Sequence, residues 1–362
     1  MSAIRFNHEY APDEKIRVGY LGCGDHSFRN LLPCFQYAPV DLVAVCDREE
    51  TRAQAFASTF GARQVFTDYE RMLQECDLDA VFIVTGYGPH GVTYPPLAIQ
   101  ALHAGCDVFI EKPPANSVAE VQQMQAAEAQ TGRFVFVGFK KVFFPAVAKA
   151  RELAQSGQLG WVNSIYARYP QRLPLTQEER ADPLKMRGFL DHLVHPASIL
   201  YSIGGEMASV RFNIDPGGGS VSVIRFADGK LGNLHLVGGG SGTSPLERLE
   251  VVGDRSNVVV DNGVKLTWYR PGGRGPGGYG RSANFIGPDE AGPIVWEPEF
   301  SLGQLYNKGI FLLGYAQEIL YLCECVRKRM RPELCNTDWA RALLRLYEAY
   351  QGPEDVTVNL DT

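Results

Sequence analysis

Short apolar runs alternate with segments of helical spacing over the first 140 positions of the chain. "IRVGYLG" (16–22), "VDLVAVCD" (40–47), "DAVFIVTG" (79–86), "DVFIEKP" (107–113) and "RFVFVGF" (133–139) read as strands buried on both faces. Between them, roughly 49–60, 68–75, 94–104 and 117–131 carry apolar residues at helical intervals. This order predicts a βαβ series, and hence a parallel sheet covered by helices. After about residue 160 the pattern changes. "SVSVIRF" (220–226), "KLGNLHLVG" (230–238), "RLEVVG" (248–253) and "NVVVDNGVKLTWY" (257–269) alternate as antiparallel strands do, the last as a hairpin turning at Asn262-Gly263. Helices are expected over 188–203, 303–330 and 337–350, with a short strand over 356–360. The glycine-rich stretches at 238–245 and 271–282 read as linkers or as loops over a binding cleft.

Length changes this picture by splitting it. At 362 residues the chain exceeds what one hydrophobic core usually supports, and 45% hydrophobic with 21% charged is ordinary soluble composition. A net charge of -6 leaves no basic footprint for nucleic acid. The polar start "MSAIRFNHEYAPDEK" has no apolar leader region, and no run of about 18 apolar residues offers a membrane span. Eight cysteines, at 23, 34, 46, 76, 106, 323, 325 and 335, show no CxxC spacing and read as buried, reduced thiols of a cytoplasmic protein.

The candidate chemistry begins at "GYLGCGDHS", where Gly22-x-Gly24-x-x-Ser27 follows the first strand and opens a helix. Gly22 permits a tight turn, Gly24 lets a pyrophosphate approach the backbone, and Ser27 is small enough for close packing. Asp25 and His26 lie in the same turn. At the end of the second strand, Asp47 is placed to accept hydrogen bonds from an adenosine ribose, while Arg48 could neutralise a 2'-phosphate. Dinucleotide binding follows, with NAD favoured and NADP open. The stretch "CDVFIEKPPA" (106–115) then runs a buried strand into Glu111 and Lys112, and Pro113 keeps Lys112 extended rather than helical.

The glycine loop, Glu111-Lys112-Pro113 after a buried strand, "VGF" at 137–139, and Asp191-x-x-x-His195 of "FLDHLVHP" together resemble the Gfo/Idh/MocA family of glucose-fructose oxidoreductases and inositol dehydrogenases. The resemblance implies a Rossmann domain over 14–139, followed by an α+β domain over 140–362 with an open, mainly antiparallel sheet. The helices at about 303–350 are assigned to that second, substrate-binding and oligomerisation domain. It also implies NAD(H) or NADP(H), with Thr85, Glu111 and Lys112 beside the cofactor, and oxidation of a hydroxyl on a sugar or cyclitol. A homodimer or homotetramer is the expected assembly.

The residues support that chemistry on their own terms. Removing hydride from a secondary alcohol requires a base for the hydroxyl proton and a group that stabilises the developing alkoxide. Asp191 and His195 lie four apart, so a helix puts both on one face. Asp191 would bind a hydroxyl or orient the imidazole, and His195 and Lys112 would divide proton removal and alkoxide stabilisation, with either as the proton carrier. Asp191, His192 and His195 lack the further partner a metal site would need, so no metal is expected. Substrate contacts are sought at Tyr87, His90 and Tyr94, in a turn about four residues longer than the family pattern, and at Lys140, Arg168, Tyr169, Arg172 and His192. The plainer reading of the arginines is a solvated surface. Two other functions stay open: a glycoside hydrolase that keeps its NAD and cleaves by transient oxidation and elimination, and a dinucleotide-binding protein without turnover.

Overall fold

The computed structural model describes residues 4–88, 91–271, 292–297 and 307–360. The chain divides into two compact units, one comprising residues 1–140 and 309–345, the other 141–308 and 346–362.

In the first unit the elements run β1 (Ile16–Leu21), β2 (Val40–Cys46), α1 (Glu50–Phe60), β3 (Gln64–Phe66), α2 (Tyr69–Glu75), β4 (Ala80–Ile83), a short ladder of β5 (Tyr87–Gly88) with β6 (Gly91–Val92), α3 (Tyr94–His103), β7 (Asp107–Glu111), α4 (Val118–Thr131) and β8 (Val135–Gly138). The main sheet has the order β3-β2-β1-β4-β7-β8 with every pair parallel, so the winding reverses between β1 and β4. Strands β4, β7 and β8 are buried at every position, which is why their sequences are continuously apolar. Tyr20, Phe82, Phe109 and Phe136 sit in register on adjacent strands, and their rings stack at 6.0, 4.8 and 6.0 Å between centroids. Ser117 caps α4 by accepting from the Glu120 amide, and Asp68 caps α2 likewise.

One element departs from the expected pattern. Instead of a regular α-helix after the glycine loop, a π-turn over Ser27–Leu31 passes into a 3-10 stretch over Leu32–Tyr37. Pro33 has no amide hydrogen to give the carbonyl of Arg29, so the ordinary helical ladder cannot run through it. The expected helix over 303–330, whose first residues to 306 lie outside the described residues, is also broken. In its place stand α8 (Lys308–Leu312) and α9 (Tyr315–Lys328), separated at Gly314, which has φ 77. The apolar face of α9, with Ile319, Leu322, Cys323 and Val326, is buried, and the helix packs on β1 and on the irregular turns after it. That burial draws α8, α9 and the start of α10 (Thr337–Tyr350) into the first unit, whereas the sequence reading placed them with the second domain.

The second unit carries α5 (Pro145–Gln155), β9 (Val162–Pro170), the single turn α6 (Gln177–Arg180), α7 (Pro183–Gly204), β10 (Met207–Ile214), β11 (Ser220–Phe226), β12 (Leu231–Val237), β13 (Arg248–Gly253), β14 (Asn257–Asp261), β15 (Lys265–Tyr269), β16 (Ile294–Trp296) and, after α10, β17 (Val358–Asn359). Its nine-stranded sheet has the order β16-β15-β14-β13-β9-β12-β11-β10-β17. Only β9 and β12 pair in parallel, so the sheet is mainly antiparallel. The hairpin turns where the sequence predicted, with Asn262 at φ 51 and Gly263 at φ 68. Strand β11 alternates buried and exposed along its whole length, with Val221 and Val223 on the open face. Helix α7 covers the other face, and Tyr350 of α10 closes the core against Phe212, with centroids 4.8 Å apart, and shares a 2.6 Å hydrogen bond with Ser222.

Among the described residues no helix is long and apolar enough to cross a membrane. All eight cysteines are free thiols, seven of them buried.

Candidate active site

In the first unit, the carboxyl ends of β1, β2, β4 and β7 bring the predicted cofactor residues to one edge of the sheet. Gly22 has φ 106, and a Cβ there would lie 2.2 Å from the Val84 carbonyl oxygen, so only glycine fits this turn. A Cβ on Gly24 would meet nothing within 4 Å, which leaves the open approach a pyrophosphate requires. The Ser27 hydroxyl donates 2.7 Å to the Gly22 carbonyl and locks the loop from beneath. Asp47 accepts from the amides of Cys23 at 2.8 Å and Glu49 at 2.9 Å, one on each carboxylate oxygen. Each oxygen retains acceptor capacity for a ribose hydroxyl. These residues fit a dinucleotide.

Glu111 is buried at the end of β7, and its carboxylate organises the strand end. One oxygen accepts from His26 Nε2 at 2.9 Å, the other from the backbone amide of Lys112 at 3.0 Å. Asn30 donates to His26 Nδ1 at 3.2 Å, which sets the imidazole tautomer so that Nε2 carries the hydrogen. Lys112 thus leaves the strand from a fixed backbone, half-exposed, and its peptide bond to Pro113 is cis. Lys140, expected near substrate, donates 2.6 Å to the Tyr315 hydroxyl, and the Tyr315 ring lies edge-on to His26. Glu318 is completely buried nearby in sequence on α9, neither carboxylate oxygen has a hydrogen-bond partner among the described residues, and burial pushes its pKa well up.

The lengthened turn takes shape as the β5/β6 ladder. Asn116 clamps it by accepting from the Val92 amide at 2.9 Å and donating to the Val92 carbonyl. Tyr87 is half-exposed on this ladder. Thr85 shares a 2.9 Å hydrogen bond with Thr93, and the buried Tyr94 donates its hydroxyl to the Thr85 carbonyl at 2.7 Å, bracing the loop after β4. His90 lies outside the described residues.

In the second unit, Asp191 and His195 project from one side of α7, and His192 lies a turn from His195 with ring centroids 6.4 Å apart. His195 is buried, while His192 is exposed and stands 4.0 Å from Asp191. Pro196 follows directly, so the His192 carbonyl lacks the helical amide it would otherwise receive. Tyr169, buried at the end of β9, places its ring 6.2 Å from His195 and 6.4 Å from His192. Burial pushes the Tyr169 hydroxyl pKa up, which keeps it a neutral donor. Lys141 caps the cluster, with its ammonium 4.6 Å over the Tyr169 ring and paired with Glu247. Lys141 and Glu247 were not among the sequence candidates. The doubled lysine at 140–141 was a visible signal, but nothing marked Glu247, which is 106 positions away.

Arg168 alternates with Tyr169 on β9 and so points to the opposite face, where it donates to the Pro245 carbonyl at 3.1 Å. Arg172 donates to the Gly238 carbonyl at 2.7 Å. The two arginines therefore hold the two ends of the 238–245 loop. Among the described residues no group of three His, Cys, Asp or Glu side chains could hold a metal ion.

Comparison with known proteins agrees with this geometry. A family model described as an oxidoreductase family with an NAD-binding Rossmann fold matches residues 16–139. Inositol 2-dehydrogenase of Acidothermus cellulolyticus is 31% identical over 264 residues, covering 71% of this chain and 68% of that protein. The chain belongs to the Gfo/Idh/MocA oxidoreductases. Within the family, the dTDP-3,4-didehydro-2,6-dideoxy-alpha-D-glucose 3-reductase of Streptomyces violaceoruber is 30% identical over 199 residues, and the match spans only 56% of that reductase. In fold, the chain resembles an oxidoreductase from Agrobacterium radiobacter solved in complex with NAD+, L-tartaric acid and magnesium. The TM-score is 0.75 at 13% identity, over 96% of this chain and 98% of that one. Residues 16–139 of the first unit accordingly form an NAD-binding Rossmann fold.

Proposed function

We propose that this Gfo/Idh/MocA member exchanges hydride between NAD(H) and a secondary hydroxyl or ketone of a sugar, cyclitol or related polyol. The observation that supports this most is the Glu111 carboxylate, which fixes the Lys112 backbone and a glycine-loop histidine together at the carboxyl edge of the sheet. Bound NAD supplies the hydride acceptor. The chain's own residues handle the proton and the oxygen. Lys112 donates a hydrogen bond to the reacting oxygen and stabilises the alkoxide as it develops. His195 takes the hydroxyl proton at its ring, and Asp191 holds a neighbouring hydroxyl or the imidazole itself. Tyr169 supports the His195 side of this chemistry by packing beside its ring, and Lys141 lies over Tyr169 in turn. Tyr87 and His192, both with exposed surface, are the further candidates for substrate contact.

Asp47 favours NAD over NADP, because a second anion beside a 2'-phosphate is repulsive. The inositol dehydrogenases among the relatives support a polyol substrate. The open face of the second sheet, with Val221, Val223 and Leu231 exposed, suits a homodimer or homotetramer. The test is absorbance at 340 nm with NAD+ and a panel of inositols and aldoses, and with NADH and the matching ketones. Net NADH change with at least one polyol is expected. Cleavage of a chromogenic glycoside with no net NADH change would instead indicate the hydrolase chemistry.

A further inference from the structure

A cavity of about 740 Å³ opens at the amino-terminal edge of the Rossmann sheet, where β7 and β8 begin and α4 ends. It lies at the other end of β7 from Glu111, roughly 13 Å away along the strand at about 3.3 Å per residue. Four arginines from three segments line it: Arg133 before β8, Arg329 and Arg331 after α9, and Arg341 on α10. Three carboxylates line it as well, one fewer than the guanidiniums, and how they are engaged decides which arginine donors stay available.

Two of the carboxylates take their close hydrogen bonds from neutral donors, with a guanidinium standing further off. Glu128, buried, accepts from the Thr337 hydroxyl at 2.6 Å and the Val135 amide at 2.7 Å, with the Arg331 guanidinium 3.7 Å away. Asp107, also buried, accepts from the Phe134 amide at 3.2 Å, and Arg133 stays 3.8 Å from it. Asp338 alone holds a guanidinium closely, that of Arg331 at 2.8 Å, and Arg341 is 4.0 Å away. Arg329 makes no side-chain hydrogen bond or ion pair among the described residues, and it is exposed. The mouth therefore presents Arg133, Arg329 and Arg341 with most of their donors unused.

We propose that this cavity binds a phosphate group, carried by a small phosphomonoester or present as the free ion, at a site separate from the nucleotide loop. Three guanidiniums arriving from different segments suit a tetrahedral dianion, which accepts several forked pairs at once, better than a planar carboxylate. The volume accommodates a small organic phosphate with room for its organic part.

The test uses the full chain saturated with NADH, so that the nucleotide loop is occupied, and titrates phenyl phosphate, inorganic phosphate and phenol at constant ionic strength. Phenyl phosphate or inorganic phosphate should bind, with the tighter of the two identifying the source, and phenol should not. The double variant Arg329→Asn/Arg341→Gln should weaken phosphate binding about tenfold or more while NADH affinity is unchanged. Asn is chosen at 329 because that residue has φ 50, which Asn tolerates. Hydrogen exchange on the unmodified protein gives an answer that needs no variant: phosphate should slow exchange over 129–134 and 329–341. Equal affinity in the double variant, binding that vanishes with NADH, or slowing confined to residues 22–27 would overturn the proposal. So would a double variant with fewer subunits in solution than wild type, which would make the cavity an interface with a second copy.

Discussion

Asp47 illustrates how much one side chain can decide. Its carboxylate is held by two backbone amides, from Cys23 and Glu49, which keeps it at the proposed ribose position, whereas Arg48 follows in an exposed turn. Asp47→Ser should therefore improve NADPH binding relative to NADH by about tenfold or more, measured as two dissociation constants at one ionic strength. A wild type that prefers NADPH, or a variant with no relative gain, would remove Asp47 from the ribose. Asp107 offers a residue-scale test of stability. Burial pushes its carboxyl up to about 6 from 3.8. Between those values the folded state holds more proton than the unfolded chain, so this group's contribution to stability falls as pH rises from about 4 to 6. Asp107→Asn keeps the acceptor for the Phe134 amide and cannot ionise. The variant should gain on wild type by up to about 3 kcal/mol between pH 4 and 7, read from urea unfolding at several pH values. A difference that stays constant with pH would contradict the assignment.

At the scale of elements, the hairpin between β14 and β15 and the end of α1 make a matched pair. Gly263 and Gly61 both have positive φ, but a Cβ on Gly263 would lie 2.4 Å from the Phe144 ring, while one on Gly61 would meet nothing within 4 Å. Gly61→Ala should cost about 1 kcal/mol from backbone strain alone, and Gly263→Ala distinctly more, because Phe144 must also move. Equal costs in urea unfolding would mean that the hairpin does not pack on Phe144. Elements of this kind were largely legible in the sequence, because Asn262-Gly263 and the apolar β4, β7 and β8 are local signals. What the sequence hid was set by tertiary packing. Pro33 could have warned that the helix after the glycine loop is irregular, but nothing local shows α9 turning back onto β1. The place of Lys112 at the end of a buried strand was legible because strand, charge and proline are adjacent. The pairing of Lys141 with Glu247 was not, since it joins a turn to the start of β13 across 106 positions.

At the scale of the whole molecule, the proposed cofactor residues and Lys112 belong to one unit and Asp191 with His195 to the other, so catalysis should need both while cofactor binding needs only the first. The deciding measurement is turnover of NADH-saturated enzyme, with NADH affinity measured alongside, in wild type, Lys112→Met and His195→Asn. Each variant should lose about two to four orders of magnitude in turnover, with NADH affinity within about twofold of wild type. Normal turnover in either variant, or a loss explained by weaker NADH binding, would contradict the proposed chemistry.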